Sequence, residues 1–165
     1  LRDKGYNQQE LDASGLFKRS PSGRIYCLFW KRVMTPIFDL RGNIIAFGGR
    51  VMDDSKPKYV NSPETLVYHK SETVFAMQIA KRSASRRFVL CEGYMDVISM
   101  QQAGIDTAVC ACGTALTPGQ VRIISEYADE VILSYDSDEA GQKATLRSLE
   151  LFRNSPVKEI GRAHV

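Results

Sequence analysis

The sequence predicts an α/β protein whose main part is a parallel sheet with flanking helices at residues 88–158, preceded by part of a small α+β subdomain. From residue 88 onward, short apolar segments alternate with helix-like segments, and such β-α-β alternation implies a parallel sheet. Two of the apolar segments end directly in carboxylates, at the position where open parallel sheets place their ligands. Upstream of residue 88, turn residues separate short extended segments, which predicts antiparallel strands.

The first half of the chain is predicted to begin with a short helix and to continue in antiparallel strands. Asn7 and Glu10 have the spacing of a helix capping box within the partly helical segment 1–16. A turn at 20–23 follows, and Pro36 favours extended backbone at the residue before it. In chain order, the extended segments are 24–30, 32–39 and 44–47, and the hairpin turn between the last two is 41–43.

The segment from Ser71 to Arg82 is predicted to be a helix. Ser71 is a suitable N-cap residue. The candidates for its buried side are Val74, Met77 and Ile79. The strand–helix alternation starts after this segment. Its predicted strands are 88–92, 107–112 and 131–135, and its predicted helices are 94–103, 118–128 and 139–152.

The composition is that of an ordinary globular protein, with 44% hydrophobic and 25% charged residues among 165. No apolar run approaches the length of a membrane span, and the N-terminus has no signal-peptide character. The four cysteines form no CxxC pair and have no nearby histidine, which argues against both a zinc site and a disulfide framework. We therefore expect a cytoplasmic protein that does not contact a membrane.

The net charge of +3 is divided unevenly between the two halves of the chain. Residues 1–87 carry 16 Lys and Arg against 8 Asp and Glu, whereas residues 88–165 carry 6 against 11. A basic half followed by an acidic half suits a protein that holds a polyanion with one part and a metal ion with the other. Solvated surface charge without a special role is the alternative.

Four acidic residues lie at or just after the predicted ends of two strands. Glu92 ends the first strand of the alternation, and Asp96 lies four residues later. Asp136 and Asp138 follow the third strand. Packing carboxylates this closely is unfavourable unless a cation compensates them, so they predict a divalent metal site and phosphate chemistry. The alternative is helix capping, since Asp136 or Asp138 also suits the N-terminus of the next helix.

Two segments of the basic half predict contacts with phosphate. Paired glycines let a backbone bend sharply or approach a ligand closely, and Arg50 directly follows such a pair. The loop at 56–65 carries Lys58, which is able to grip phosphate, and Tyr59, which is able to stack on a base or simply to pack. A basic surface turn without a ligand is the alternative for this loop.

These segments resemble a known family. Three blocks of the second half resemble the signature motifs of the Toprim domain, which primases, topoisomerases and some nucleases share. They are Glu92–Asp96, Gly113–Thr117 and Asp136–Gly141. Three blocks of the first half resemble the basic region of bacterial replicative primases of the DnaG type. They lie at 32–37, 47–50 and 57–65. The resemblance covers about residues 1–158, with Ser137 where the family has Gly and Thr35 where it usually has Phe.

By this resemblance, the acidic residues form the catalytic site. Glu92 matches the acid implicated in catalysis and metal binding, and Asp136 and Asp138 match the metal-binding pair. Asp96 matches a further acid of the first motif, and we expect it to contribute to metal binding. The residues expected at nucleotide- or template-binding positions are Arg50, Lys58, Asn61, Lys70 and Arg32.

The resemblance implies template-directed synthesis of short RNA primers on single-stranded DNA, by metal-dependent nucleotidyl transfer from ribonucleoside triphosphates. The expected cofactor is Mg²⁺, for which Mn²⁺ is able to substitute. Zinc is expected only in a domain that this chain does not contain. A replicative helicase is the expected partner, through a C-terminal domain that this chain does not contain either.

Two alternatives to primer synthesis stay open. One is another Toprim enzyme, such as a phage primase–helicase or a nuclease; the missing P-loop and the Gly-Gly-Arg and Pro-Lys-Tyr blocks argue against both. The other is a non-catalytic module that binds nucleic acid. The second alternative predicts that binding survives removal of the acidic residues.

The resemblance also divides the chain into three parts. Residues 1–87 match the C-terminal part of the primase core's basic N-terminal subdomain, and residues 88–158 match a Toprim domain that is incomplete at its C-terminal end. Residues 159–165 lack the family's next strand and acidic motif, and they resemble the translation of a common sequencing adapter. We expect a non-native tail here and a fragment that is inactive alone; a cloning scar or a genuine divergent tail is the alternative.

Overall fold

The computed structural model of the protein describes residues 1–113 and 115–162. It divides the chain into two units. The first unit comprises residues 1–37 and 44–69, and the second unit comprises residues 38–43 and the chain from residue 70 onward. Within the described part, no helix has both the length and the apolar character that crossing a bilayer requires.

The first unit begins with a short 3₁₀ helix at Arg2–Lys4 and helix α1 at Gln8–Ala13. The predicted capping box of α1 is confirmed. Asn7 Oδ1 accepts a hydrogen bond from Glu10 N at 3.0 Å, and Glu10 Oε2 accepts one from Asn7 N at 2.7 Å. Because each side chain satisfies a backbone N–H at the start of the helix, these two residues determine where the helix begins.

Five strands follow in two sheets. The first sheet is an antiparallel pair that consists of β1 (Phe17–Arg19) and β2 (Ile25–Cys27). The second sheet has three strands, which lie in the order β3 (Arg32–Phe38), β4 (Ile44–Val51) and β5 (Tyr59–Asn61). The predicted extended segment at 32–39 and the returning strand from Ile44 are confirmed, although β4 continues to Val51. The predicted segment 24–30 is a strand only within β2, because the chain turns after it and Lys31 adopts φ +53°.

The second unit is built on a five-stranded sheet. Its strands are β6 (Val74–Phe75), β7 (Arg87–Cys91), β8 (Ala108–Ala111), β9 (Glu130–Ser134) and β10 (Glu159–Arg162). They lie in the order β10-β9-β7-β8-β6; β6 is antiparallel to β8, and the other neighbouring pairs are parallel. Leu90, Val109 and Leu133 are fully buried in its core. Sheets with both faces covered need such apolar strands, which explains the strand pattern of the sequence.

The described part of the second unit contains four α-helices. They are α2 (Met77–Ala80), α3 (Tyr94–Gln102), α4 (Pro118–Tyr127) and α5 (Glu139–Arg153). The last three alternate with β7, β8 and β9, and all six elements begin and end within one residue of the predicted bounds. The predicted α/β alternation with a parallel sheet is therefore confirmed.

The predicted helix at 71–82 is wrong over most of its length. Lys70–Glu72 is a 3₁₀ helix, β6 follows, and the α-helical part is limited to α2. The residue between β6 and α2, Ala76, adopts φ +64° and interrupts helical backbone. Met77 is buried as expected, but Ile79 is exposed. Pairing of β6 with β8 at the sheet edge thus overrides the helical pattern.

The parallel sheet extends beyond residue 158, because β10 lies parallel to β9 as its outer neighbour. Ile160 is partly buried and packs against the core. At the start of this strand, Lys158 N donates a hydrogen bond to the carbonyl oxygen of Asp129 at 2.8 Å. The non-native origin of 159–165 stays a prediction, and the last three residues of the chain lie outside the described part.

The order of the parallel strands creates a switch point at β7. The chain passes from β7 to β8 on one side and then to β9 on the other side of β7. Such a reversal leaves a crevice at the carboxyl ends of the strands, where open α/β sheets bind ligands. Cys91, the last residue of β7, pairs with Ser134, the last residue of β9, so the residues that follow them emerge side by side.

Asp129, which directly precedes β9, forms ion pairs with Arg86 and Lys158, which directly precede the neighbouring strands β7 and β10. Arg86 Nε donates a hydrogen bond to Asp129 Oδ2 at 2.9 Å, and Lys158 Nζ lies 3.6 Å from Oδ1. The hydrogen bond from the Arg86 side chain, with the charges of both cations, holds the pKa of Asp129 below its ordinary value of 3.8. The ion pairs therefore stabilise the fold above that value, and their contribution is lost as the pH falls through the lower, folded-state pKa.

We predict that Asp129→Asn lowers the urea midpoint of unfolding near neutral pH, and that its difference from the unchanged protein shrinks as the pH falls below 3.8. The decrease should be modest because the carboxylate is exposed to solvent. Glu126→Gln, which removes an exposed carboxylate that forms no ion pair with a described residue, is the control. A difference that persists at acid pH would show that Asp129 acts through packing instead of charge.

Candidate functional site

Glu92 and Asp136 meet at the carboxyl ends of β7 and β9. Glu92 directly follows β7, and Asp136 lies two residues beyond β9. Glu92 Oε2 accepts a hydrogen bond from the backbone N–H of Asp136 at 3.0 Å. This bond fixes the direction of the Glu92 side chain and holds the loop after β9 against the end of β7. Both residues are exposed at this edge.

Asp138 caps the helix that follows the site. It directly precedes α5, and its Oδ1 accepts a hydrogen bond from Gly141 N at 2.8 Å. A carboxylate in this position also interacts favourably with the helix dipole. The structure therefore shows the capping alternative for Asp138, and its role as a metal ligand stays a prediction.

Gly141 allows the acidic loop to lie directly against α5. A Cβ atom at this position would come 2.1 Å from the carbonyl oxygen of Asp136, so a larger residue requires a backbone shift. The sequence Asp-Ser-Asp-Glu-Ala-Gly thus contains both the cap of α5 and the space for the loop that carries Asp136.

Asp96 turns back to the start of its own helix. Its Oδ2 accepts a hydrogen bond from Gly93 N at 2.9 Å. An acid at the third position of a helix satisfies the N–H group before the helix in this way. The expected contribution of Asp96 to metal binding stays a prediction.

An open cleft of about 540 Å³ lies beside these acids, and its lining includes Asp96, Asp136 and Asp138. We name it the acidic cleft. Within the described residues, no three His, Cys, Asp or Glu side chains lie close enough to hold a metal ion together. Mg²⁺ commonly binds through one or two carboxylates and completes its shell with water and substrate phosphates. Glu92 and Asp136, as exposed oxygen donors at adjacent strand ends, fit this pattern.

Tyr135 links the end of β9 to Asp136 and contacts helix α5. Its hydroxyl lies 3.1 Å from Ser148 Oγ on α5, within hydrogen-bonding distance. Burial, more than any other effect, raises the pKa of Tyr135, and the negative charge of Glu92 acts in the same direction. The hydroxyl therefore stays protonated and joins the end of β9 to α5.

In the first unit, Arg50 lies over an aromatic ring. The antiparallel strands β4 and β5 pair Arg50 with Tyr59. The guanidinium carbon lies 5.5 Å from the centre of the Tyr59 ring, which is the geometry of a cation–π contact. Tyr59 is exposed and Arg50 is half-buried, so the pair presents a charge and a ring at the surface of this sheet.

Arg32 holds the loop before β5 in place. Its guanidinium donates hydrogen bonds to the carbonyl oxygens of Pro57 at 2.8 Å, Lys58 at 3.3 Å and Gly49 at 3.4 Å. A Cβ atom at Gly49 would lie 2.7 Å from the Phe29 ring and 3.1 Å from Cδ of Arg32. The glycine pair therefore makes room for these two side chains at Gly49, whereas the sequence suggested an opening for a ligand.

The backbone of Lys70 is held by a buried glutamine that did not stand out in the sequence. Gln120 is completely buried, and its Nε2 donates to the carbonyl oxygens of Lys70 at 2.8 Å and Thr73 at 2.9 Å. Its Oε1 accepts a hydrogen bond from Thr117 N at 3.0 Å. The available signal was the Thr-x-x-Gln spacing at the start of α4, which is that of a capping box. A buried amide also requires partners, and here it finds them in the segment that carries Lys70.

The predicted site residues divide between the two units. The second unit contains the four acids and Lys70, and the first contains the other four candidates. Among the acids, two are joined directly by a hydrogen bond, and the other two line the acidic cleft. Lys58 is exposed and Asn61 is partly buried at the end of β5. Thr114 of the middle motif lies outside the described residues.

Two family models match the chain. The model of the N-terminal domain of the DNA primase catalytic core matches residues 1–81. A Toprim-like model matches residues 89–163. The predicted Toprim-type fold and the resemblance to the bacterial primase core are both confirmed by these matches.

Three relatives show how far this similarity extends. The DNA primase of Clostridium acetobutylicum is 44% identical over 156 residues, which are 94% of this chain and 26% of that protein. The chain thus spans about a quarter of the length of the curated relatives that it matches. A crystal structure of a DNA primase domain from Pseudomonas aeruginosa is 41% identical, with a TM-score of 0.82 over 90% of this chain and 48% of that one. A structure of the DnaG primase catalytic domain bound to ssDNA is 38% identical, with a TM-score of 0.83 over 92% of this chain and 49% of that one.

We predict that Arg32→Lys loosens the loop before β5. Lysine keeps the charge, but a single ammonium group does not reproduce the planar fork that reaches three carbonyl oxygens. The free energy of unfolding should fall by about 1–2 kcal/mol, since hydrogen bonds from a charged donor are lost. Hydrogen exchange at Val51 N–H should become faster, because this group is bonded to the Lys58 carbonyl oxygen at 3.1 Å.

Arg24→Lys is the matched control for this experiment, since Arg24 is an exposed arginine of the same unit. It should leave both the unfolding free energy and the exchange rate unchanged. If Arg32→Lys behaves like this control, the three hydrogen bonds do not hold the loop.

Proposed function

The chain belongs to the family of DnaG-type DNA primases, as a fragment of their catalytic core, and on this premise we propose that the protein synthesises short RNA primers on single-stranded DNA. The observation that carries the proposal is the hydrogen-bonded pair of Glu92 and Asp136 at the switch point of a Toprim-type sheet. It supports a site for phosphate chemistry because it holds oxygen ligands where such sheets bind their substrates.

The proposed reaction is nucleotidyl transfer from a ribonucleoside triphosphate to the growing primer. The 3′-hydroxyl oxygen of the primer attacks the α-phosphorus of the next triphosphate, and a new P–O bond forms. The bond from the α-phosphorus to the oxygen that bridges to the β-phosphorus breaks, pyrophosphate leaves, and the hydroxyl proton passes to solvent. Such a transfer requires little covalent chemistry from the protein, whose residues contribute mainly positioning and charge.

Glu92, Asp136 and Asp138 are the proposed catalytic residues, through the oxygen ligands that they offer to Mg²⁺ or Mn²⁺, with Asp96 as a further ligand. The bound ion would activate the attacking hydroxyl and stabilise charge on the transferred phosphate. The fold keeps these carboxylates at the carboxyl edge of the parallel sheet. The bond from Asp136 N prevents Glu92 from turning away, and the close packing at Gly141 keeps the loop beside α5.

The basic half is proposed to bind the phosphates of template and nucleotide. Arg50 and Lys58 are the main candidates, and Asn61, Lys70 and Arg32 accompany them. Each cation that neutralises a phosphate releases counterions, so binding should weaken as the salt concentration rises. A single-stranded template is supported by the similarity of this chain to the DnaG catalytic domain whose structure was solved with bound ssDNA.

The other partners and the location are proposed for the whole protein. A replicative helicase and a zinc module would involve parts outside this chain. A cytoplasmic location suits the buried thiols of Cys91, Cys110 and Cys112, which act as small apolar groups. Burial raises the pKa of Cys91 to about 12, so this thiol stays un-ionised beside the acidic edge.

A second candidate function is that of a non-catalytic module that binds nucleic acid. Two observations favour it: Asp96 and Asp138 accept hydrogen bonds as helix caps, and the described residues contain no three-ligand metal cluster. Another Toprim enzyme fits less well, because the family model that matches the first half is that of the primase core.

We predict that Glu92→Gln separates chemistry from binding when it is introduced into the full-length protein. Glutamine keeps the size of the side chain and its bond to Asp136 N but removes the negative charge. Primer synthesis should fall by at least about a hundredfold, since the lost charge supports stabilisation that develops in the transition state. Affinity for single-stranded DNA should change by less than about twofold, because removing a negative charge does not weaken attraction to a polyanion.

The measurement is primer yield beside single-stranded DNA affinity in the same preparation. Glu150→Gln, which removes an exposed carboxylate from α5, is the control and should retain synthesis. Near-normal synthesis by Glu92→Gln would show that the charge of Glu92 is not needed for catalysis, and it would favour the non-catalytic module that binds nucleic acid.

A further inference from the structure

A second cleft is lined by Glu92. It has a volume of about 520 Å³ and lies between the loop after β8 and helix α5. We name it the basic cleft. The residues of its lining that matter here are Glu92, Gly113, Tyr135, Lys143, Arg147 and Ser148.

The basic cleft occupies a ligand-binding position of the fold. Its lining includes residues at the carboxyl ends of β7, β8 and β9, so it opens at the switch point of the sheet. Its volume is in the range of about 300–1,000 Å³ that small-molecule sites have. Small residues, among them Gly113, Ala140 and Ala144, line its walls and leave this space open. The contact between Tyr135 and Ser148 fixes one side of it.

The charges of the two clefts are opposite. The acidic cleft is lined by three aspartates and by no lysine or arginine among the described residues. The basic cleft is lined by Lys143 and Arg147, which lie one helical turn apart on α5. Lys143 pairs with Glu139, whereas Arg147 forms no ion pair with any described residue. Arg147 is therefore available to an anion in the cleft.

We propose that the basic cleft binds the polyphosphate of the incoming nucleotide, with Arg147 as its main anchor and Lys143 as a second cation. A guanidinium binds phosphate oxygens in a bidentate manner. Glu92 lines the same cleft as these two cations, and Asp136, whose N–H bonds Glu92, lines the acidic cleft, so the proposed metal ligands and the cations for the departing pyrophosphate lie at the same edge of the sheet. The identity of the polyphosphate rests on the proposed primer synthesis, whereas anion binding by the cleft does not.

The size of the cleft favours a nucleotide over a nucleic-acid strand. A strand requires an extended groove along which several phosphates are bound. The basic cleft offers two cations close to Glu92, which suits one triphosphate or one pyrophosphate. Solvated charges on a helix face are the alternative, and they would not distinguish Arg147 from Arg153, the other arginine of α5.

Inorganic pyrophosphate, titrated without added metal into the full-length protein, tests this proposal. Arg147→Ala should weaken pyrophosphate binding by about tenfold, which corresponds to the loss of one hydrogen-bonded charge pair. Arg147→Lys should give an intermediate affinity, because it keeps the charge but not the fork. Arg153→Ala is the matched control: it removes an exposed arginine from the same helix that lines neither cleft, and it should bind like the unchanged protein.

Two results would overturn the proposal. One is an equal affinity for pyrophosphate in Arg147→Ala and Arg153→Ala. The other is a loss of single-stranded DNA affinity in Arg147→Ala with unchanged pyrophosphate binding, which would assign the residue to the strand. Unfolding temperatures, with Arg147→Lys as the milder variant, identify a folding defect. Because pyrophosphate binding does not require primer synthesis, a protein that binds it through Arg147 without making primers would contradict only the proposed function.

Discussion

In the parallel pairing of β7 with β9, Cys91 lies opposite Ser134, and this register decides which side chains share the carboxyl edge of the sheet. A shift by one residue would turn the following side chains to opposite faces. The observed register brings Glu92 within 3.0 Å of the Asp136 N–H, and their hydrogen bond then fixes the loop that leads into α5. The buried apolar residues of both strands hold this register, so the core and the acidic edge depend on the same pairing.

The acidic edge keeps its carboxylates apart by giving them different partners. Glu92 accepts a bond from a neighbouring strand end, whereas Asp96 and Asp138 accept bonds from the starts of their own helices. Each bond to a backbone N–H holds its carboxylate in a fixed direction and satisfies one of its oxygen atoms. A divalent ion would therefore bind to carboxylates whose positions the backbone already fixes.

The alternation of strands and helices was predictable because parallel strands and capped helices leave strong local signals. The capping box of Asn7 and Glu10 is one of them. The helix predicted at 71–82 failed because pairing of β6 with β8 depends on residues far away in the chain. β10 was missed for the same reason, since its place is set by β9. The sequence located the acids and offered Asp138 as a helix cap, but it did not show that Asp96 accepts a bond from the start of its own helix or that Arg32 binds three carbonyl oxygens.

We propose that Glu92 and Asp136 form the core of a divalent metal site, and a Mn²⁺ titration followed by water-proton relaxation tests this most directly. Asp136→Asn should weaken Mn²⁺ binding by at least about tenfold, because a site with one or two carboxylates loses a charged ligand. Asp106→Asn, which changes an exposed acid before the start of β8, at the opposite edge of the sheet, should bind Mn²⁺ like the unchanged protein. Equal Mn²⁺ affinity in the unchanged protein and in Asp136→Asn would contradict the account and leave the acids a role in folding alone.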